Sequence, residues 1–202
     1  MDAETLLTTT RSVRRKLDFD RPVSPDLLKD CLRIAQQAPA AGNLLDAAHW
    51  VVVTDPDLRA PIARIVREDA IATMKRYEHL VDPSVFTSAR YLVDNLHRAP
   101  ALVIPCLTGR PPEGHVEQNA YYGSSYPAIW SFQLALRAKG LGSSMCAYHL
   151  AEHEAEVAGL LGIPGDVTQI SLLAVAYTTQ QEFRPGKRPP LERIAHFNGW
   201  AA

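Results

Sequence analysis

Thr10-Arg11-Ser12-Val13-Arg14-Arg15-Lys16 places four cations and a serine hydroxyl directly after a short amphipathic segment near the amino terminus. A guanidinium group offers a rigid fork of donors that matches phosphate oxygens two at a time, and hydroxyl or backbone N–H groups can fill the remaining lone pairs. The stretch therefore predicts a bound phosphate group. The alternative is a basic turn that faces water, because runs of charge usually lie on a solvated surface.

The composition of the chain limits its class of partner. Its 202 residues, 47% hydrophobic and 21% charged, fit one globular domain spanning residues 1–202. The net charge is −1, so no overall basic field attracts nucleic acid or an anionic membrane, and the basic stretch must serve a local ligand. We therefore expect neither nucleic acid nor a membrane among its partners.

Three widely spaced cysteines, Cys31, Cys106 and Cys146, lie within apolar runs. Their odd number and spacing favour buried free thiols in a reducing compartment over disulfides or a metal site. The chain opens without a charged leader and apolar core, and no run approaches the ~18 apolar residues that a membrane span needs. We expect a soluble, cytoplasmic protein.

Apolar periodicity predicts helices that alternate irregularly with about four strands. The predicted helices cover residues 24–38, 55 to about 80, 127–139 and a short segment ending at Leu161. The predicted strands are 51–53, 101–107, 142–148 and 170–177. Residues 108–119, rich in Gly and Pro, predict a surface loop whose length suits a mobile lid, and the chain after Thr178 predicts an extended arm.

This order of elements favours an α+β sandwich with a central mixed β-sheet. No G-x-G-x-x-G turn opens a first βα unit, which argues against a Rossmann domain, and no P-loop is present. Helix 127–139 is apolar all round, and we expect Trp130 in the core. Together with the arm and Trp200, it offers more apolar surface than one small domain hides, which predicts a dimer.

Five segments, in the same order along the chain, resemble the FMN-dependent nitroreductase family. They are residues 10–14, 38–43, 135–143, 161–164 and 187–191. The resemblance implies a three-layer sandwich with a central mixed β-sheet flanked by helices and a C-terminal arm extended onto the partner subunit. It also implies a homodimeric oxidoreductase in which NADH or NADPH reduces FMN. FMN then passes electrons to nitroaromatics, quinones or related small-molecule acceptors by ping-pong hydride transfer.

The resemblance assigns the phosphate end of the cofactor site to both ends of the chain. Arg11, Ser12 and Arg14 match the N-terminal flavin-binding motif of the family. Lys187 and Arg188 match basic residues that the C-terminal arm brings to the same phosphate or to its ribityl neighbour. The alternative for Lys187 and Arg188 is a solvated tail.

The resemblance assigns the ring end of the site to two further segments. Asn43, with the backbone of Ala40 and Ala41 nearby, matches an asparagine that meets the flavin across the dimer interface. The segment along the isoalloxazine ring, which offers backbone N–H to the reactive N5 atom, is matched by Cys146, Ala147 and Tyr148. No catalytic acid or base is expected, because the hydride chemistry belongs to the cofactor.

The chain departs from the family pattern directly after Asn43. Family members commonly continue with glutamine and then proline or glycine before a tryptophan, whereas this chain reads Leu44-Leu45-Asp46-Ala47-Ala48-His49-Trp50. The usual polar side chain is missing, so this edge of the pocket is predicted to be roomier and more apolar. The change also leaves open a flavin-binding protein that is not a reductase, and a member diverted to dehalogenation or flavin breakdown.

A further alternative comes from another class of protein. His149-Leu150-Ala151-Glu152-His153 fits H-x-x-E-H, in which two histidines bind Zn²⁺ and the glutamate acts as general base. Nothing downstream supplies the third ligand. Cys146 is likewise open to two interpretations, as a redox thiol or as a small buried hydrophobic group.

Overall fold

The computed structural model describes residues 1–200. Its helices are α1 (Ala3–Thr9), α2 (Pro25–Ala35), α3 (Pro56–Tyr77), α4 (Pro83–Asn95), α5 (His115–Ala138) and α6 (Glu154–Leu161). Its strands are β1 (Leu17–Asp18), β2 (Ala48–Val53), β3 (Ala101–Thr108), β4 (Leu141–Cys146), β5 (Val167–Gln169) and β6 (Leu172–Thr178). The predicted α+β class is confirmed.

Strand β6 lies inside the sheet, where it pairs with β1, β3 and β4, while β3 also pairs with β2 and β5. All of these pairings are antiparallel, so the expected mixed sheet is wrong for the described strands. The connection from β2 to β3 shows the reason. Two successive helices, α3 and α4, return the chain to the end of the sheet where β2 stopped, and β3 must then run in the opposite direction.

Alternate side chains of the central strands enter two separate cores. Leu102, Ile104 and Leu172 pack on one face with α3, α4 and α6, whereas Val103 and Leu173 pack on the other with α2 and α5. The period of two along a strand produces this division. Burial of each aliphatic side chain stabilises the folded state by about 1.5–3 kcal/mol, so helices that cover both apolar faces of the sheet are favoured. The three-layer arrangement is therefore confirmed.

Helix α5 differs most from its prediction, because it begins at His115 instead of 127 and takes in residues 115–119 of the expected loop. Pro127 lies inside it, where a proline ring meets the carbonyl of the residue four positions earlier. That residue is Gly123, whose lack of a side chain gives the backbone room to adjust. The loop shrinks to residues 109–114. Trp130, expected in the core, is 39% exposed in the single chain.

Helix α4 was not predicted, although its start signals are present in the sequence. Asp82 caps it by accepting hydrogen bonds from the backbone N–H groups of Ser84 at 2.8 Å and Val85 at 3.4 Å, and Pro83 occupies its first position. A helical hairpin of α3 and α4 results on one face of the sheet.

The basic N-terminal stretch is fixed against β4. The backbone N–H of Val13 donates to the carbonyl of Ser143 at 2.9 Å. A Cβ on Gly142 would stand only 2.9 Å from the Cβ of Val13, so this close approach requires glycine. The arm after Thr178 is extended as predicted, and its Thr179 N–H donates to the carbonyl of Lys16 at 2.9 Å. Among residues 1–200, no helix is long and apolar enough to cross a membrane.

Candidate functional site

Guanidinium groups from the two ends of the chain meet at Gly186. Arg11 Nε donates to the carbonyl of Arg184 at 2.8 Å, which ties the N-terminal stretch to the arm. A Cβ on Gly186 would lie 2.5 Å from Nη1 of Arg188 and 2.6 Å from Nη2 of Arg11. Both groups therefore flank the same small space, which we call the cation cradle (Arg11, Gly186 and Arg188).

No carboxylate of residues 1–200 lies within salt-bridge distance of the arginines of the cation cradle. Within the described residues, none of Arg11, Arg14, Lys187 or Arg188 forms a salt bridge with a carboxylate. The hydroxyl of Ser12 is exposed and donates no hydrogen bond in the same part of the chain. Neighbouring cations repel one another unless an anion lies between them. Arg11 Nε and Arg188 Nη1 already donate to the carbonyls of Arg184 and Lys187, and the remaining N–H groups of the two guanidiniums are donors that suit a phosphate dianion.

Arg14 lies at a different place from Arg11. Its side chain lines a cavity of about 40 Å³ together with Cys146 and Tyr148 at the end of β4. It also lines a neighbouring pocket of about 300 Å³. The structure therefore brings Arg14 to residues 146–148, and Arg11 to Arg188.

The segment after β4 offers a free backbone donor. Ala147 is exposed, and its N–H donates no hydrogen bond to any of residues 1–200, whereas Tyr148 begins a short 3-10 turn. Burial raises the pKa of the Cys146 thiol to about 12. A hydrogen bond with the Tyr148 backbone and the positive charge of Arg14 act in the opposite direction but are smaller. The thiol is protonated at neutral pH, which favours a small apolar group over a redox thiolate.

Asn43 stands apart from both groups. Its segment is fixed to α5, because the N–H of Ala41 donates to Oγ of Ser124 at 2.9 Å. Asn43 lines a pocket of about 480 Å³ that shares no lining residue with the cavities at Arg14. A single chain therefore does not bring Asn43, Ala40 and Ala41 to the cradle or to residues 146–148.

The sequence did not predict the contact that holds the arm against helix α5. The guanidinium carbon of Arg137, on α5, lies 3.6 Å from the ring centroid of Phe183, on the arm. Burial lowers the pKa of Arg137. A cation stacked on an aromatic face contributes about 0.5–2 kcal/mol. The sequence carried two weak signals of this contact, an arginine in a largely apolar helix and a phenylalanine in a polar arm.

The zinc alternative is not supported by the geometry. His149 is fully buried, and burial lowers its pKa to about 4, while His153 Nδ1 lies 2.8 Å from Oδ1 of Asp69. Across residues 1–200, no group of three or more His, Cys, Asp or Glu side chains could hold a metal ion. His153 therefore pairs with Asp69, and His149 is buried without access to solvent.

Comparison with known proteins identifies the family. The model of the nitroreductase family matches residues 7–177, which is most of the chain. The chain belongs to the nitroreductase family. The resemblance predicted from five segments is thus confirmed, and membership supports an oxidoreductase that uses a flavin.

Relatives of several kinds share this nitroreductase fold over nearly their whole length. An NADH dehydrogenase from Thermus thermophilus is 30% identical over 210 residues, which cover 96% of this chain and 95% of that protein. A BluB-like flavoprotein from Clostridium difficile 630 is 22% identical with a TM-score of 0.73, covering 98% of this chain and 99% of that chain. Iodotyrosine deiodinase bound to FMN and 3-iodo-L-tyrosine is 22% identical with a TM-score of 0.72, at the same coverage.

An FMN- and NADPH-dependent nitroreductase from Sphigopyxis sp. strain HMH is 20% identical, with a TM-score of 0.72, covering 99% of this chain and 100% of that chain. Its fold is no closer than that of the deiodinase. Similarity of fold therefore does not distinguish between these activities, and the choice depends on the residues of the site.

Proposed function

We propose that this nitroreductase-family protein is an FMN-dependent oxidoreductase that takes electrons from NADH or NADPH. Its proposed acceptors are nitroaromatics, quinones or related small molecules, reduced in a ping-pong cycle. The observation that carries the proposal is the cation cradle, where Arg11 and Arg188 approach one point and neither forms a salt bridge with a carboxylate of residues 1–200. A phosphate dianion such as that of FMN supplies the missing charge.

Each proposed site residue has a binding or positioning role. Arg11, Ser12, Lys187 and Arg188 hold the phosphate end. Arg14 places a fixed positive charge beside residues 146–148, which lie along the ring. FMN, when bound, supplies the two-electron chemistry that no side chain of this protein provides. Since the reaction is the cofactor's, the chain needs to supply only position, charge and exclusion of water.

The proposed assembly is a homodimer of one-domain subunits. Trp130 and Tyr126 of α5, together with Phe197 and Trp200 of the arm, are exposed in the single chain. A second copy that covers them would also allow Asn43, with Ala40 and Ala41, to reach the partner's flavin. Obligate interfaces of this kind bury more than about 2,000 Å². The reducing cytoplasm is the proposed compartment, supported by three free cysteines.

The experiment is a titration of the apoprotein with FMN, followed by absorption and fluorescence. We expect near-equimolar flavin in the purified protein and FMN affinity weakened by about 1.5–3 kcal/mol in Arg11→Ala, the scale of a lost charge-assisted hydrogen bond to the phosphate. Arg14→Ala should also weaken FMN binding, because it removes the positive charge beside residues 146–148. Arg193→Ala, an exposed arginine of the same arm, is the control and should bind FMN like the wild type. A colourless protein that ignores FMN would refute the proposal.

A second candidate is dehalogenation, which the departure from the family pattern directly after Asn43 supports. Release of iodide from 3-iodotyrosine by the FMN-loaded protein would support it. A protein that binds FMN yet turns over neither halogenated tyrosines, quinones nor nitro compounds would instead be a flavin-binding protein without reductase activity.

A further inference from the structure

The arm reaches the cation cradle directly after its contact with helix α5. The guanidinium carbon of Arg137 lies 3.6 Å from the ring centroid of Phe183, and three residues later the arm brings Gly186 to the guanidinium groups of the cradle. An extended chain covers at most about 3.6 Å per residue, so Gly186 lies within about 11 Å of Phe183. The position of the Phe183 ring therefore limits where the arm can place its part of the cradle.

Phe183 and the residue that follows it both fix the arm. The Phe183 ring is partly buried and packs against the core cluster that contains Val13 and Leu17, while Arg137 lies over its face. The carbonyl of Arg184 accepts a hydrogen bond from Nε of Arg11 at 2.8 Å. Residues 183 and 184 thus hold the arm against the body of the protein immediately before the cradle.

Charge pairing does not explain the position of Arg137. Glu182 precedes Phe183 but pairs with Arg184 at 2.9 Å, and Arg137 forms no salt bridge with a carboxylate of residues 1–200. Nε of Arg137 is buried and has no hydrogen-bond partner in the same residues. The arginines of the cradle are also positive and repel another cation. The negative face of the aromatic ring is what attracts the guanidinium group.

A docked arm changes what it costs to bind a phosphate. While the arm is docked, Arg188 already lies beside Arg11, whereas a detached arm must be ordered when the ligand binds, and this ordering costs conformational entropy. The apparent affinity falls with the fraction of protein that is already in the competent arrangement. Riboflavin has no phosphate to contact the cradle, so its affinity should not depend on the arm.

We propose that Arg137 and Phe183 are positioning residues that hold the arm beside the cation cradle and so set a preference for phosphorylated flavin over riboflavin. The proposal rests on the proposed function and goes beyond it, because it assigns the selectivity of the cofactor site to two residues that lie outside that site.

The test is a double-mutant cycle in the full-length protein. Arg137→Met removes the cation and keeps an unbranched side chain that suits a helix, whereas Phe183→Leu removes the aromatic face and keeps an apolar side chain for the core. Lys139→Met, which removes an exposed cation two residues from Arg137, is the control. Fluorescence titration of the apoprotein gives the Kd for FMN and for riboflavin. Hydrogen–deuterium exchange of residues 182–190 in the apoprotein reports docking of the arm.

We expect each single variant to raise the Kd for FMN about 3- to 30-fold, the scale of one cation–aromatic contact, and to leave the Kd for riboflavin unchanged. The double variant should bind FMN no more weakly than the weaker single variant, because both substitutions remove the same contact. Exchange of residues 182–190 should be faster in all three and unchanged in Lys139→Met. Arg137→Lys, which keeps the charge without the planar group, replaces Arg137→Met if that variant does not fold.

Four results would overturn the positioning role. They are FMN affinity or arm exchange equal to that of the wild type in both single variants, effects on FMN affinity that add in the double variant, and a parallel loss of riboflavin affinity, which would indicate general support of the fold. Failure of the proposed function gives a different result. A wild-type protein that binds neither flavin would refute that function even if exchange of its arm still depended on Arg137.

Discussion

Gly186→Ala disturbs the cation cradle without removing a charge. The new methyl group would lie 2.5 Å from Nη1 of Arg188 and 2.6 Å from Nη2 of Arg11, so each guanidinium must retreat by almost 1 Å to reach ordinary contact at 3.4 Å. The backbone of Gly186 does not have a positive φ, and alanine therefore adds no strain there. Loss of one charge-assisted hydrogen bond to the phosphate costs about 1.5–3 kcal/mol.

We accordingly expect the Kd for FMN to rise about 10- to 150-fold in Gly186→Ala. The assay is quenching of FMN fluorescence on titration of apoprotein, with riboflavin as a ligand that lacks the phosphate. Riboflavin affinity should not change. Gly199→Ala, in the same arm with open space around the added methyl, is the matched control. An FMN affinity unchanged within twofold in Gly186→Ala would refute the assignment of the phosphate to this cradle.

Three further outcomes are expected. Sedimentation velocity at micromolar concentration should show a dimer that Trp130→Asp weakens, and a folded wild-type monomer would contradict this. The kcat/KM for a naphthoquinone should exceed that for a nitrofuran, because Leu45 and its alanine neighbours leave an apolar edge; equal values would mean that the loop does not set selectivity. Burial lowers the pKa of His149 to about 4 from 6.5. The unfolded state therefore binds more protons between these values, and lowering the pH from 7 to 4 should cost the wild type about 3 kcal/mol of unfolding free energy that His149→Phe does not lose. Parallel pH dependence of urea unfolding in the two proteins would contradict the last prediction.

Sequence patterns predicted the long strands β3 and β6 more closely than helix α5 and missed the short strands β1 and β5. Helices cover both sides of the sheet, and the runs at 101–107 and 170–177 are apolar on both faces. A continuous apolar run is what a strand buried on both faces requires, so composition alone identified these strands. Helix α5 instead contains Gly123 and Pro127, which indicate a break when neighbouring contacts are ignored. Packing of Phe132 and Leu136 against the sheet outweighs this local cost.

The candidate site was predictable where chemistry is carried by charge. Charge predicted an anion at residues 10–16, and the resemblance to the family implied that Lys187 and Arg188 approach the same anion; the structure brings Arg11 and Arg188 together. The pocket of about 300 Å³ that Arg14 lines with residues of α3 and α4 could not be foreseen, because α4 itself was missed. That Arg14 lines the cavity at Cys146 while Arg11 approaches Gly186 was also hidden, since it depends on how the N-terminal stretch is fixed against β4 at Gly142.

The hydrogen bond from Arg11 to Arg184 spans 173 residues and has a consequence for biosynthesis. Bringing together residues so far apart in sequence costs conformational entropy, which the packing free energy of the folded sheet offsets. We therefore expect this contact to form late in folding. On the ribosome, the N-terminal half of the cradle emerges first and must wait until the arm has been translated and released. Loading of the proposed FMN would thus be a post-translational event, and a nascent chain or one truncated before Arg184 would present a complete sheet with only half of the proposed phosphate site.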